Sequence, residues 1–125
     1  MAKTPKISEA EWEIMRIVWD KNPITSREVN QRLAPEKDWN PKTVGTLLSR
    51  LVKKGALKYR AKRTVYYYSP KVSREECIRA ETKSLAKRLF DGSAAPMLVH
   101  FVESTDLTSE EIKELKRILE RKGKS

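Results

Sequence analysis

Apolar residues recur at three- and four-residue intervals through the first part of the chain, give way to short alternating runs, and then return to helical spacing. Trp12, Ile14, Met15, Val18 and Trp19 make a broad face that predicts a helix ending near Asp20. It opens at Ser8-x-x-Glu11, a pair in which cap hydroxyl and glutamate satisfy each other's backbone donors, and Asn22-Pro23 breaks it. Thr25-x-x-Glu28 opens a second, short helix through about Leu33, stopped before Pro35. Asn40-Pro41 supplies a cap and a first-turn proline for a third. There Val44, Leu47, Leu48, Leu51 and Val52 form one stripe, and Lys53-Lys54-Gly55 ends the helix with cations and a glycine. Residues 57–60 and 65–69 read as two β-like runs joined by the basic turn Ala61-Lys62-Arg63-Thr64. Helix, helix, helix, hairpin is the order of a winged helix-turn-helix.

Ser69-Pro70 closes the hairpin and marks the expected boundary, with residues 1–70 as the winged-helix domain and 71–125 as a helical domain. Ser73-x-x-Glu76 starts a helix to about Phe90, with Ile78, Leu85 and Leu89 on one face, and Asp91-Gly92-Ser93 interrupts it. A compact apolar segment follows, comprising Met97, Leu98, Val99, Phe101 and Val102. Thr108-x-x-Glu111 opens the last helix, which carries Ile112, Leu115, Ile118 and Leu119 and runs to about Lys122 before a tail expected to fray. Three amphipathic helices in so short a span cannot bury their stripes alone. The arm is therefore expected to dimerise through Leu98, Phe101, Leu115, Ile118 and Leu119. The fold class is mainly α with a small β-hairpin: a winged helix followed by a three-helix dimerisation arm.

Charge sharpens this picture. The chain of 125 residues carries a formal +10, which favours a polyanionic partner. Residues 1–70 hold 15 Lys/Arg against 7 Asp/Glu, and residues 71–125 hold 12 against 10, so the excess belongs to the first part. Opposite its apolar stripe the third helix presents Lys42, Thr43, Thr46, Ser49, Arg50 and Lys53, with no acid among them. Beside the cationic turn bearing Lys62 and Arg63, that face suits a duplex major groove flanked by phosphate. Thr43, Thr46 and Arg50 are the expected base readers, since threonine methyls suit thymine and arginine suits guanine O6/N7. Lys42, Ser49, Lys53, Lys62 and Arg63 are expected to position the backbone. A solvated helix face, an RNA- or ribosome-associated basic winged helix, and a protein-interaction module are the competing readings. Binding to duplex DNA with sequence preference discriminates against the RNA reading, and absence of any salt-dependent nucleic-acid binding would support the protein-interaction module.

Enzymatic chemistry finds no footing, because the chain lacks a Ser/His/Asp set, HExxH and a glycine-rich phosphate loop. No cofactor or metal is expected: His100 is the only histidine and Cys77 the only cysteine. One cysteine forms no internal disulfide, no apolar run approaches the roughly 20 residues of a membrane span, and the polar start Met1-Ala-Lys-Thr-Pro lacks a signal-peptide core. A cytoplasmic protein without membrane insertion is the natural expectation. Cys77 is expected to be half-buried near a helix start, a position that lowers a thiol pKa. Trp12, Trp19 and Trp39 are expected as core anchors, with Tyr66 and Tyr68 on one side of a strand and Tyr67 on the other.

The chain resembles the penicillinase-repressor family, the BlaI/MecI group of bacterial transcriptional regulators. The matching pieces are Ser8-Glu-Ala-Glu-Trp-Glu-Ile-Met, Asp38-Trp-Asn-Pro-Lys-Thr-Val, Leu51-Val-Lys-Lys-Gly, Tyr66-Tyr-Tyr-Ser, Leu98-Val-His-Phe-Val-Glu and Glu111-Ile-Lys-Glu-Leu. They cover nearly the whole chain in order and spacing. The resemblance implies a homodimer that binds a palindromic double-stranded operator of the TACA/TGTA kind and blocks transcription. It also implies relief by a membrane-bound, β-lactam-sensing zinc protease, with antibiotic resistance as the setting. The cut would fall between His100 and Phe101, the position matching the family's cleaved Asn-Phe bond. This chain departs from that bond in having histidine, and from the family's usual larger side chain in having Gly45 within the reading helix. It also lacks the C-terminal cysteine cluster of the copper-responsive branch, which removes metal sensing of that type.

Overall fold

A computed structural model describes residues 4–124; Met1, Ala2, Lys3 and Ser125 lie outside the described residues. In chain order the elements are α1 (Glu9–Asp20), α2 (Ser26–Leu33), α3 (Pro41–Lys54), β1 (Leu57–Lys62), β2 (Val65–Pro70), α4 (Arg74–Phe90), α5 (Ala94–Ser104) and α6 (Ser109–Gly123). The helix starts are built as the sequence spells them. Ser8 Oγ accepts from Glu11 N at 3.2 Å while Ser8 N donates to Glu11 Oε1 at 2.8 Å, and the same exchange closes Thr25–Glu28 and Thr108–Glu111. Ser73 and Glu76 repeat it ahead of α4. Asn40 Oδ1 caps α3 by accepting from Thr43 N, and Gly55 ends that helix at φ 86°, a left-handed conformation that glycine adopts without steric cost.

The chain divides into two compact units, one ending at Thr82 and the other beginning at Lys83. The core of the first is made where the stripes of three helices meet the base of the hairpin. Ile14, Met15 and Val18 from α1, Val29 and Leu33 from α2, and Val44, Leu47, Leu48 and Leu51 from α3 close over Ile24, Leu57 and Tyr68. Each of the fully buried aliphatic side chains contributes about 1.5–3 kcal/mol over an exposed one. Trp12, Trp19 and Trp39 pack against this core half-buried. The Trp12 and Trp19 rings meet edge to face at 5.4 Å, and the Trp19 indole donates to Val72 O at 3.0 Å.

β1 and β2 pair antiparallel, Leu57 opposite Pro70 and Lys62 opposite Val65. β1 runs further toward the turn than residue types alone suggest, while β2 starts at Val65 as read: Ala61 and Lys62 are paired, so the loop shrinks to Arg63-Thr64, with Arg63 at φ 61°. A two-residue hairpin loop needs positive φ to match strand twist, which explains the tightening. Ile24 and Tyr68 exchange two backbone hydrogen bonds at 3.0 and 2.8 Å, tying the α1–α2 connection to the edge of β2.

Two expectations at the start of α4 are corrected. Cys77 is not half-buried; it is 3% exposed in the first unit's core. Its thiol pKa is raised rather than lowered, by burial first and then by Glu76 and Glu81. Small residues do the burying on this helix, Cys77 and Ala86, whereas Ile78 and Leu89 stand in solvent.

In the second unit α5 and α6 keep helical form while most of their apolar side chains stay uncovered. Met97 is buried, but Leu98 is 50%, Phe101 59% and Leu119 60% exposed. Val99, Val102, Ile112 and Leu115 are exposed as well, and Ile118 is half-covered. No pair of helices in this unit packs along its length. α6 persists to Gly123, past the point at which fraying is expected from the sequence. Among the described residues no helix is long and apolar enough to cross a membrane.

Candidate nucleic-acid interface

α3 sorts its residues by chemistry. Val44, Leu47, Leu48 and Leu51 point into the core, which leaves Lys42, Thr43, Thr46, Ser49, Arg50 and Lys53 in solvent. Five of these six gather round one concavity: Lys42, Thr46, Ser49, Arg50 and Lys53, with Gly45 in the middle, Ser26 from the first turn of α2 and Tyr68 from β2. Thr43 is exposed but lies outside that lining. No carboxylate lies within 4.0 Å of Lys42, Arg50 or Lys53, so their charge is uncompensated within the described residues. Thr46 Oγ1 donates to Lys42 O at 3.0 Å, so its hydroxyl proton is already used inside the helix. A Cβ at Gly45 would meet nothing within 4 Å, so the helix backbone is open to an approaching surface there.

Lys54 behaves differently from Lys53 beside it. Its ammonium donates to Glu11 and, at 2.9 Å, to Lys6 O, so this cation fastens the end of α3 to the start of α1. Glu11 is 1% exposed. Burial pushes its carboxyl up, but hydrogen bonds from Lys54 and from the backbone and hydroxyl of Ser8 outweigh it and hold the pKa below the ordinary value.

The hairpin register separates the wing into two faces. Tyr59, Tyr66 and Tyr68 share one, with Tyr59 and Tyr66 stacked at 4.3 Å and Tyr68 6.2 and 6.4 Å from them. Tyr68 is buried at the base, where burial, then Tyr66 and Tyr59, pushes its phenol up. This is the face that continues into the α3 concavity through Tyr68. Lys62 does not join it. With Lys58 and Arg60 it lines a separate groove on the other face, completed by Pro23, Tyr59, Tyr67 and Ser69. Arg63 stands at the tip between the two. Lys58, Arg60 and Ser26 went unmarked in the sequence reading; alternation along β1 was the available signal for the first two.

A basic helix braced by two others, with a cationic hairpin beside it, defines a winged-helix DNA-binding protein. The family model of the penicillinase repressor matches residues 7–121. The penicillinase repressor of Bacillus licheniformis is 38% identical over 120 residues, covering 96% of this chain and 94% of that protein. The methicillin resistance regulatory protein MecI of Staphylococcus aureus (strain N315) is 34% identical over 120 residues, with 96% and 98% covered. Among solved structures, the monomeric form of Bacillus licheniformis BlaI in complex with the blaP half-operator is 39% identical at a TM-score of 0.52, covering 61% of this chain and 93% of that one. The chain belongs to the penicillinase repressor family, the BlaI/MecI group of DNA-binding transcriptional repressors.

Proposed function

We propose that the protein is a homodimeric, sequence-specific repressor that lays α3 in the major groove of a palindromic operator. The carrying observation is the single solvent face of α3 on which Lys42, Thr46, Ser49, Arg50 and Lys53 converge without a carboxylate. Arg50, Thr46 and Thr43 read bases. Lys42, Ser49, Lys53, Lys62 and Arg63 hold phosphate. Resemblance to BlaI, solved with a half-operator, supports duplex DNA over RNA.

Dimerisation is supported by the apolar side chains that α5 and α6 leave uncovered, Leu98, Phe101, Leu115 and Leu119 foremost, with Ile118 alongside. Exposed apolar area of that kind marks a partner surface, and a second copy supplies the matching stripe. Repression ends when the chain is cut between His100 and Phe101, which lie exposed on α5, by a membrane-bound sensor protease. The cut detaches α6 and with it the avidity of two half-sites, about 10²–10⁴ in affinity.

The test is selection of duplexes from a random pool by the full chain, followed by a salt titration and sedimentation of the free protein. The expected result is an enriched inverted repeat with half-sites about 34–36 Å apart or a small multiple of that. Affinity should drop about 10³-fold or more between 50 and 200 mM salt. A monomer at micromolar concentration, or salt-indifferent binding, refutes the proposal.

A further inference from the structure

We propose that Gly45 makes a specificity notch on α3, in which the bare helix backbone takes the 5-methyl group of one thymine in each half of the operator. The inference rests on the DNA-binding reading above and deepens it, because it gives a part in base choice to a residue without a side chain.

Three observations carry it. Gly45 lines the concavity over α3 together with Lys42, Ser49, Arg50 and Lys53, and a Cβ built on it would meet nothing within 4 Å. Lys42 and Ser49, three residues before and four after, share its side of the helix and flank this gap about 4.5 and 6 Å away along the axis. Next, the floor of the gap is apolar in effect. Gly45 is the fifth residue of α3, so its N–H and C=O are both used within the helix and its methylene is what it offers to a ligand. Finally, the following position adds no donor, because the Thr46 hydroxyl donates its proton to Lys42 O at 3.0 Å.

The four bases differ in what they need from such a gap. In the major groove guanine presents two acceptors, adenine an acceptor and a donor, and cytosine a donor. Each of these groups loses water against a methylene without gaining a partner. Thymine alone presents a methyl group there. Seated on Gly45, that methyl leaves water at no polar cost, while the polar rim of Lys42 and Ser49 remains for the neighbouring O4. A glycine that did no more than admit closer approach would leave all four bases equal; the saturated backbone is what makes them unequal.

The experiment uses the full chain and Gly45→Ala, with circular dichroism and thermal unfolding showing that both fold. On a duplex selected by the parent, each thymine is replaced in turn, in both half-sites together, by deoxyuridine, which removes the 5-methyl group and nothing else. For the parent, replacement at one position should weaken binding about fourfold per half-site, the worth of one buried methyl. Thr43 and Thr46 can make other thymines sensitive, so the variant singles out the one at Gly45. Its added Cβ takes the place of the thymine methyl and should weaken binding of the unmodified duplex about fivefold or more. Deoxyuridine at that one position should restore most of the loss, and at every other position parent and variant should respond alike. Variant affinity equal to or above the parent's on the unmodified duplex overturns the proposal, since the methyl then stands clear of Gly45. So does a loss that no single replacement relieves, or a parent indifferent to deoxyuridine throughout. If the parent selects no duplex, the DNA-binding reading itself has failed, which is a different result from any of these.

Discussion

Lys54, the last residue of α3, donates to the carboxylate of Glu11, the buried third residue of α1. One carboxylate thus serves two ends, capping α1 through Ser8 N and clamping the C-terminal end of α3. Removing Lys54 as Lys54→Met leaves a buried acceptor without its cation, at a cost of about 1–3 kcal/mol. Urea unfolding should show the loss; an unchanged midpoint would show that the clamp contributes nothing.

The same carboxylate sets a pH dependence. Glu11 is held below its ordinary value of 4.5, and Glu28 is drawn down to about 2 by hydrogen bonds from Lys21 and then from the Thr25 backbone and hydroxyl. Both bind a proton more readily unfolded than folded, so both favour the folded state above about pH 4.5. That contribution fades as pH falls from there, for Glu28 down to about 2. Unfolding midpoints followed from pH 7 to pH 2.5 should decline below about 4.5, and less steeply in Lys54→Met. A parallel decline in parent and variant would remove Glu11 from the account.

On α3, Arg50→Ala should cost about 1–3 kcal/mol of operator binding and relax preference at one position, whereas Arg63→Ala should weaken every duplex alike and lower the salt slope by about one. Binding of a mismatch series by both variants checks the division. Loss of specific and non-specific affinity by the same factor in both would refute it.

Gly45→Ala should move stability and binding in opposite directions. The position is helical with open space where a Cβ would go, so alanine gains about 1 kcal/mol of helix propensity. If the duplex approaches the bare backbone there, the methyl weakens binding. A higher melting temperature with unchanged operator affinity would mean that DNA keeps its distance from Gly45.

Leu115→Ala should raise the dimer dissociation constant while leaving the chain's own fold intact, because Leu115 is exposed within a single copy. Sedimentation gives the first quantity and circular dichroism the second. A mutant dimer as tight as the parent would move the interface to α4, where Ile78 and Leu89 are exposed.

A chain ending at His100 should keep the first unit folded, run as a monomer and bind the full operator poorly. Mass analysis of the protein from induced cells should show a fragment ending at His100; intact chain throughout derepression would exclude the cut.

Five of the six helices are legible in the sequence because their starts carry a side-chain cap, and α3 also because its apolar and cationic residues segregate at helical spacing; α5 starts after Ser93 with no side-chain cap, and its first residue is not marked in the sequence. The strand ends are less legible. Ala61 and Lys62 have no β-branched or aromatic character, and it is the two-residue turn at Arg63-Thr64 that draws them into the ladder. Cys77 reads as half-buried for a related reason: on α4 the small Cys77 and Ala86 are the buried residues, Leu85 and Phe90 are half-buried and Ile78 and Leu89 exposed, an order that a hydrophobicity pattern does not report. On α3 the exposure of Lys42, Thr43, Thr46, Ser49, Arg50 and Lys53 follows from the helical spacing of the apolar stripe, but not that Thr43 lies outside the concavity the other five line. Lys62 reads from the sequence as part of the turn with Arg63, whereas it is the last paired residue of β1, because residue types do not say how far a strand runs.

The tyrosines of the wing have one more consequence. The Tyr59–Tyr66 stack and the buried Tyr68 hold the hairpin from one side, and Lys58, Arg60 and Lys62 stand exposed on the other, with no ion-pair partner among the described residues. Exchanging exposed residues of that sort ordinarily shifts stability by no more than about 0.5 kcal/mol. The outer face is therefore evolvable: its charge can be raised, erased or reversed over generations while the hairpin keeps its shape.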